Sequence, residues 1–354
     1  FEWVHQNPFH NIFLATSTTI SLLSNSLLLF IISTTPSSTI GSYRYLLASF
    51  ATCDILTNVA HAVLQPIVHL TDNGLYYFSH NYGIVIGGQS FDTVFCLIFI
   101  ATFYQTFLIL AYHYVYRLVT LTSGLSRSIT RYWTPKHWIS LAVFVNILYV
   151  AGFMGVCLFA FTPSDETRIL APPEILELYG IDLQASTNGY VVISVRDPLT
   201  GQIVVHAPSV IALCLLLCLF GGTATVIVYC IWRINAVIRS ADSDMTGKTR
   251  KMQADLFHAL LIQSAVPVFC SYIPLATILL FGPVTGISLG SFGNFFYTCT
   301  AVFPSIDAFF VLFFISRFRS AVIRLFRLPF KGHDGSTTEH RTIEIRTRET
   351  SSRI

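Results

Sequence analysis

Between Asp255 and Asp307 the chain contains no Asp, Glu, Lys or Arg. No water-soluble domain can cover its surface with a stretch like that. Nor can it be one helix across a membrane: at 1.5 Å per residue it would run to more than twice the roughly 30 Å hydrocarbon core. The stretch must cross, turn and cross again, and "FGPVTG" (residues 281–286) supplies the glycine and proline for the turn. The rest of the chain follows the same rule. Of its 354 residues 53% are hydrophobic and only 11% charged, with mean hydropathy +0.63, where an ordinary soluble domain has about 25% charged residues. Lipid is the solvent for most of this chain.

A crossing helix needs roughly 20 apolar residues. Seven such spans are expected, over residues 9–32, 45–70, 87–116, 138–161, 205–232, 256–281 and 289–315. An odd number puts the two ends of the chain on opposite sides. The basic residues then set the direction. The loops after spans 1, 3, 5 and 7, with the tail, hold 19 of the 21 Lys and Arg residues; only Arg168 and Arg196 fall on the other side. Basic loops stay cytoplasmic, so the amino terminus is expected outside and the carboxyl terminus inside. The net charge of +3 gives no reason to invoke nucleic acid. Residues 1–8 read as an outer segment whose start is left open, since the sequence begins at Phe1.

Three features lie outside the spans. The outer loop 162–204 ends in "GYVVISVRDPLTGQIVV", two β-branched runs about Asp197-Pro198-Leu199-Thr200-Gly201, which predicts a hairpin able to lid a cavity. A plain solvated connector is the alternative. Residues 317–330 set Phe318, Val322, Leu325 and Phe326 on one helical face and Arg317, Arg324 and Arg327 on the other, as in a helix lying on the inner leaflet. Residues 331–354 are polar and apolar-poor, a composition that predicts a disordered cytoplasmic tail. All eight cysteines sit in apolar stretches, where they read as packing residues.

Polar groups inside a span are costly and mark function or a hydrogen-bonded seam. On span 2, Asp54, Asn58, His61 and Gln65 fall within about 60° of one another. A structural seam and a conformational switch both explain them. Span 3 carries Phe95, Phe99, Thr102, Thr106, His113 and Arg117 along one stripe: aromatics toward the outside, hydroxyls at mid-depth, His and Arg at the cytoplasmic end. Span 7 aligns Gly293, Tyr297, Thr300, Pro304 and Asp307. Pro267 and Pro274 make span 6 the expected moving part. Phe295, Phe296 and Tyr297 join Phe95, Phe99 and Thr102 as expected ligand contacts, in the outer halves of spans 7 and 3. The sequence carries no HExxH, GxSxG, GxGD, P-loop or paired-histidine motif, so neither an enzyme nor a metal or cofactor site is expected. The stretch "AYHYVYRLVT" (residues 111–120) ends span 3 either as an interfacial aromatic belt with a basic anchor or as the working end of a switch.

Several motifs resemble those of the nematode serpentine chemoreceptors, in particular the Str class that includes the diacetyl odour receptor. "GSYRYLLASF" (41–50) is similar to the start of that class's second span, and "QPIVH" (65–69) to its outer end. "HYVYR" (113–117) resembles the His-x-x-Tyr-Arg that closes the third. "TRKMQADLFHALLIQSAVPVFCSYIP" (249–274) follows the class pattern through the last inner loop and sixth span. "FPSIDAFFVLFFISRFR" (303–319) resembles the end of the seventh, departing at Ala308, where many relatives have a second proline.

The resemblance implies a seven-transmembrane helix bundle of the G-protein-coupled type: a chemosensory, olfactory receptor in the plasma membrane of sensory-neuron cilia. Its partners would be a small odorant, the lipid bilayer and a heterotrimeric G protein α subunit, and it is compatible with homo- or hetero-oligomers. Arg117 would meet the α subunit, with His113, Tyr116, Arg250 and Lys251 around it. Rhodopsin-like receptors carry an acid before that arginine; here it is missing, so Tyr116 or His113 would have to restrain Arg117. Asp54, Asn58, His61, Pro267, Pro274, Pro304 and Asp307 would form the switch. The competing reading is a seven-span ligand-gated channel or small-solute transporter; insect-type odorant receptors make it worth weighing, and their opposite orientation makes the basic-residue partition the discriminator.

Overall fold

The computed structural model describes residues 9–36, 43–79, 85–86, 89–90, 92–122, 135–161, 173–182, 190–192, 194–196, 200, 202–240, 247–300 and 302–327. Residues 1–8 and 328–354 lie outside them, and with them the expectations for the amino-terminal segment and the tail.

In hydrocarbon every backbone N–H and C=O must find its partner within the protein, so the apolar runs become helices. Span 1 is Phe9–Thr34, span 2 Tyr43–Leu64, span 3 Asp92–Thr122, span 4 Pro135–Phe161 and span 5 Ala207–Arg239. Pro208, in the first turn of span 5, needs no helical acceptor there. Span 6 is broken: Gly247–Pro267, a π-helical turn Val268–Tyr272, then Ile273–Thr285. Span 7 is described as Gly293–Thr300 and Phe303–Phe314, with a turn at Val302. Among the described residues six helices are long and apolar enough to cross a membrane; the seventh is cut short where the π turn follows Leu256–Pro267. Phe144, Phe159, Val228 and Trp232 are exposed on spans 4 and 5, as lipid-facing positions must be.

Span 1 packs on span 2 and on Phe303–Phe314, the half of span 7 at the end of the bundle that carries the basic loops, termed inner, while span 3 packs against spans 2, 4 and 5. One core cluster joins Phe50, Phe107, Leu110, Tyr114, Ile234 and Leu260 at mid-depth and below. A second joins Leu28, Ile31, Leu47 and Val311 to Phe318. Phe318 thereby anchors the helix Ser316–Arg327, close to the bounds expected, while Arg324 and Phe326 stay exposed on it.

The outer end differs from expectation. Span 2 was expected to reach residue 70, but it stops at Leu64. Gln65, with φ 45, closes the helix by donating its N–H to the His61 carbonyl at 2.8 Å. Pro66 follows, and a residue before proline is disfavoured in a helix. The apolar run continues as strand β1 (Pro66–Leu70), paired antiparallel with β2 (Gly74–Ser79), which pairs in turn with β5 (Tyr190–Val192). Likewise span 3 starts at Asp92 rather than residue 87, after the short pair β3 (Val85–Ile86) and β4 (Gln89–Ser90). The expected hairpin is present as β6 (Ser194–Arg196) against β7 (Ile203–Val205).

The three-stranded sheet is a lid with two different faces. Val68, Leu70, Leu75 and Tyr77 cluster with Leu64 and Phe99 on the bundle side. Ile67, Tyr76 and Phe78 cluster with Ile175 and Ile181 on the other, beneath the short helix Pro173–Tyr179. Both faces are buried, which is why the run of β1 shows no alternation of polar and apolar residues.

Candidate functional site: a latched inner mouth under a lidded bundle

At the inner mouth the last turns of span 3 turn inward. Arg117 is only 5% exposed. Its Nη1 donates to Oε1 of Gln253 on span 6 at 2.6 Å, and its guanidinium lies 5.2 Å from the centre of the Tyr43 ring. Tyr43, first residue of span 2, stacks on Tyr116 at 5.9 Å, and its hydroxyl lies 3.1 Å from Nδ1 of His113. One arginine is therefore held by span 6 through an amide and by span 2 through an aromatic face. Of the two restraints the resemblance suggested, His113 and Tyr116 both meet Tyr43, whose ring lies under the Arg117 guanidinium. The direct partner is Gln253. Its sequence signal was a lone amide among basic residues at the base of span 6. Arg250 donates Nη2 to the Arg239 carbonyl at 3.2 Å, tying the bases of spans 5 and 6 together. The Lys251 side chain lies outside the described residues.

Above this mouth is a polar core. Gln263 donates Nε2 to Oδ2 of Asp307 at 2.8 Å, joining span 6 to span 7. Asp307 and Asp54 are near enough to interact electrostatically. Both Asp54 oxygens and both amide atoms of Asn58 lack a hydrogen-bond partner among the described residues, although both side chains are buried. Buried polar atoms are nearly always paired, so these two mark a place where the packing is not optimised for stability. His61 meets Phe99 edge-on at 5.2 Å. Gln65, the fourth member of the expected stripe, has left the helix.

The break in span 6 and the turn in span 7 are stabilised locally. Span 1 turns a row of donors onto span 7: Ser21 and Asn25 donate to the Pro304 carbonyl at 3.2 and 3.0 Å, and Ser24 donates to that of Ser305 at 3.2 Å. Ser17 and Ser305 share a hydroxyl contact of 2.7 Å. On span 6, Pro267 precedes the π turn and Pro274 follows it, a known cause of kinks. Tyr272, at the end of that turn, shares a hydrogen bond of 3.0 Å with Thr106 of span 3. Tyr114 reaches Ser264 at 2.7 Å a few turns further in.

Toward the outside, Phe99 is buried directly beneath the lid and stacks on Phe103 at 6.2 Å; Tyr104, Phe107, Phe153, Phe220 and Tyr272 continue the aromatic cluster inward. Thr102 spends its hydroxyl on the Phe99 carbonyl at 2.9 Å. Phe295 is 41% exposed and stands apart from this interior. Among the described side chains of Gly293–Thr300 the buried positions are Gly293, Asn294, Thr298 and Thr300, and Phe295 is turned away. The side chains of Phe95, Phe296 and Tyr297 lie outside the described residues. Asn294 carries the role sequence reasoning missed: its Oδ1 accepts from the Val68 N–H at 2.5 Å, fixing the lid to the head of span 7.

The helix order and packing match those of squid rhodopsin, with a TM-score of 0.59 at 11% identity over 97% of this chain and 91% of that one. That likeness, with the seven apolar helices, defines a multi-pass membrane protein with the seven-helix fold of G-protein-coupled receptors. The family model "Serpentine type 7TM GPCR chemoreceptor Str" matches residues 10–323, and the chain belongs to that family. It is 20% identical to a Caenorhabditis elegans protein named G-protein coupled receptor str-33, over 92% of each chain. It is 21% identical to serpentine receptor class r-10 of the same nematode, over 80% of this chain and 81% of that one.

Proposed function

We propose that the chain is a chemosensory receptor of sensory-neuron cilia. In this reading a small, weakly polar odorant binds among the aromatic side chains under the lid, and a heterotrimeric G protein binds at the inner mouth. The amino terminus is outside, following the basic-residue partition. The observation that carries the reading is the Arg117–Gln253 hydrogen bond across spans 3 and 6. It closes the inner mouth, and a broken span 6 can open it by pivoting at the π turn. Once free, the guanidinium offers five fixed donors to the carbonyls at the carboxyl end of an α-subunit helix. An odorant drives the change only by the difference in its affinity for the closed and open states.

Arg117→Ala is expected to keep surface abundance within about twofold and remove most G-protein activation. Arg117→Lys should restore only part of it, since a point charge does not reproduce the planar fork. Gln253→Ala should raise ligand-free signalling by loosening the latch. The assay is G-protein activation in a heterologous cell at matched surface level. Full activity of the Ala variant at position 117 would refute the coupling role.

A further inference from the structure

The lid contains a base with nothing to bond. His69 lies on β1, is 1% exposed, and neither ring nitrogen has a hydrogen-bond partner among the described residues. Its ring meets Tyr179 of the short helix edge-on at 5.9 Å, and the backbone of Gly290 approaches so closely that a methyl group there would sit 3.7 Å from Cε1. Tyr76 of β2 is its partner across the sheet. These neighbours are phenols and backbone. Glu174 and Glu177 occupy exposed positions on the short helix, Asp182 an exposed position just past it, and Asp72 is exposed in the turn between β1 and β2. Among the described residues no charged group acts on His69, and burial is the one cause of its shift.

The same strand fastens the lid to span 7. Leu70 and Gly290 exchange backbone hydrogen bonds of 3.0 and 2.8 Å, and Ser288 donates its hydroxyl to the Leu70 carbonyl at 2.9 Å. Asn294 accepts from Val68 and donates to the Tyr179 hydroxyl at 3.2 Å. His69 therefore sits where three pieces meet: the sheet, the short helix and the head of span 7.

We propose that the lid is an acid-released latch, in which a proton taken up by His69 frees β1 from the short helix and from the head of span 7. The imidazolium has two donors, and in the closed lid neither ring nitrogen has an acceptor within hydrogen-bond reach among the described residues. A charge buried without a partner is strongly unfavourable, and the direct relief is to part the sheet and admit water. Burial alone pushes the His69 imidazole down from 6.5 to about 4. The open lid thus binds the proton at higher pH than the closed one, and closure loses ground as pH falls. The closed lid holds fully above pH 6.5 and is given up progressively between 6.5 and 4, at most about tenfold per pH unit. In the orientation proposed above, the proton comes from the external fluid. The latch itself rests on the fold alone and stands or falls apart from the G-protein reading.

The experiment is hydrogen–deuterium exchange on the full-length receptor in lipid nanodiscs at pD 7.5, 6.5, 5.5 and 4.5, each rate divided by the intrinsic rate at that pD. Protection of residues 66–79 and 286–295 should fall several-fold per unit below 6.5, while residues 103–114 of span 3 keep theirs. His69→Phe preserves an aromatic edge against Tyr179 and cannot titrate, so its lid should stay protected throughout. If that variant does not fold, His69→Leu serves the same purpose. Three results would overturn the latch: constant protection in the unaltered receptor, release that persists without a titratable group at position 69, or simultaneous loss along the whole chain.

Discussion

Gly293 shows how tightly single residues set the outer end of this receptor. A Cβ at that position would lie 2.9 Å from Cγ of Leu70 and 3.0 Å from Cγ1 of Val68. Both atoms belong to the lid strand, which is pinned on its far side by the short helix. Gly293→Ala should therefore cost about 1–3 kcal/mol as overpacking. It would appear as a lower thermal midpoint of the purified receptor and as reduced surface abundance. An unchanged midpoint would mean that β1 can retreat from span 7 freely. Arg117 and Asp307 could be found in the sequence because a charge at a lipid boundary or inside a span is conspicuous. Gln253 and Asn294 could not, because an amide is conspicuous only once its partner is known. The partners are a guanidinium more than a hundred residues away and a strand whose sequence reads as helix.

At the scale of elements, the helices were legible because crossing lipid requires length and apolarity, and little else meets that requirement. The lid strand was not. "PIVHL" is apolar on both faces, and a short run of that kind has no period to separate strand from helix. Pro66 was the available signal, and it marks the point where the helix stops. Span 6 illustrates the opposite case: the proline pair pointed to a broken helix, and a π turn lies between the two prolines. Replacing Pro267 by Ala returns a backbone N–H to the helix and lifts a penalty of about 3 kcal/mol. Expected together are a higher thermal midpoint and a lower maximal response, measured on purified receptor and in cells at equal surface level. A gain in stability with full response would show that the kink is not where span 6 pivots.

For the whole molecule, the open matter is which way the bundle sits in the membrane. An epitope inserted in the 162–204 loop should bind antibody on intact cells, and one after Lys331 only after permeabilisation. The opposite labelling would revive the inverted, channel-like arrangement. Legibility at this scale was high for the number of crossings and poor for how they connect mechanically, since connection depends on contacts such as Asn25 with the Pro304 carbonyl. The turn at Val302 separates two allegiances within span 7. Its outer half is stitched to the lid by Gly290 and Asn294, and its inner half is clamped to span 1 by Ser21, Ser24 and Asn25. Under the proposed function such a joint is modular: a substitution that reshapes the lid end presses on one half of span 7, while the half clamped to span 1 keeps its own hydrogen bonds. What is detected can then change while the way of reporting it is retained.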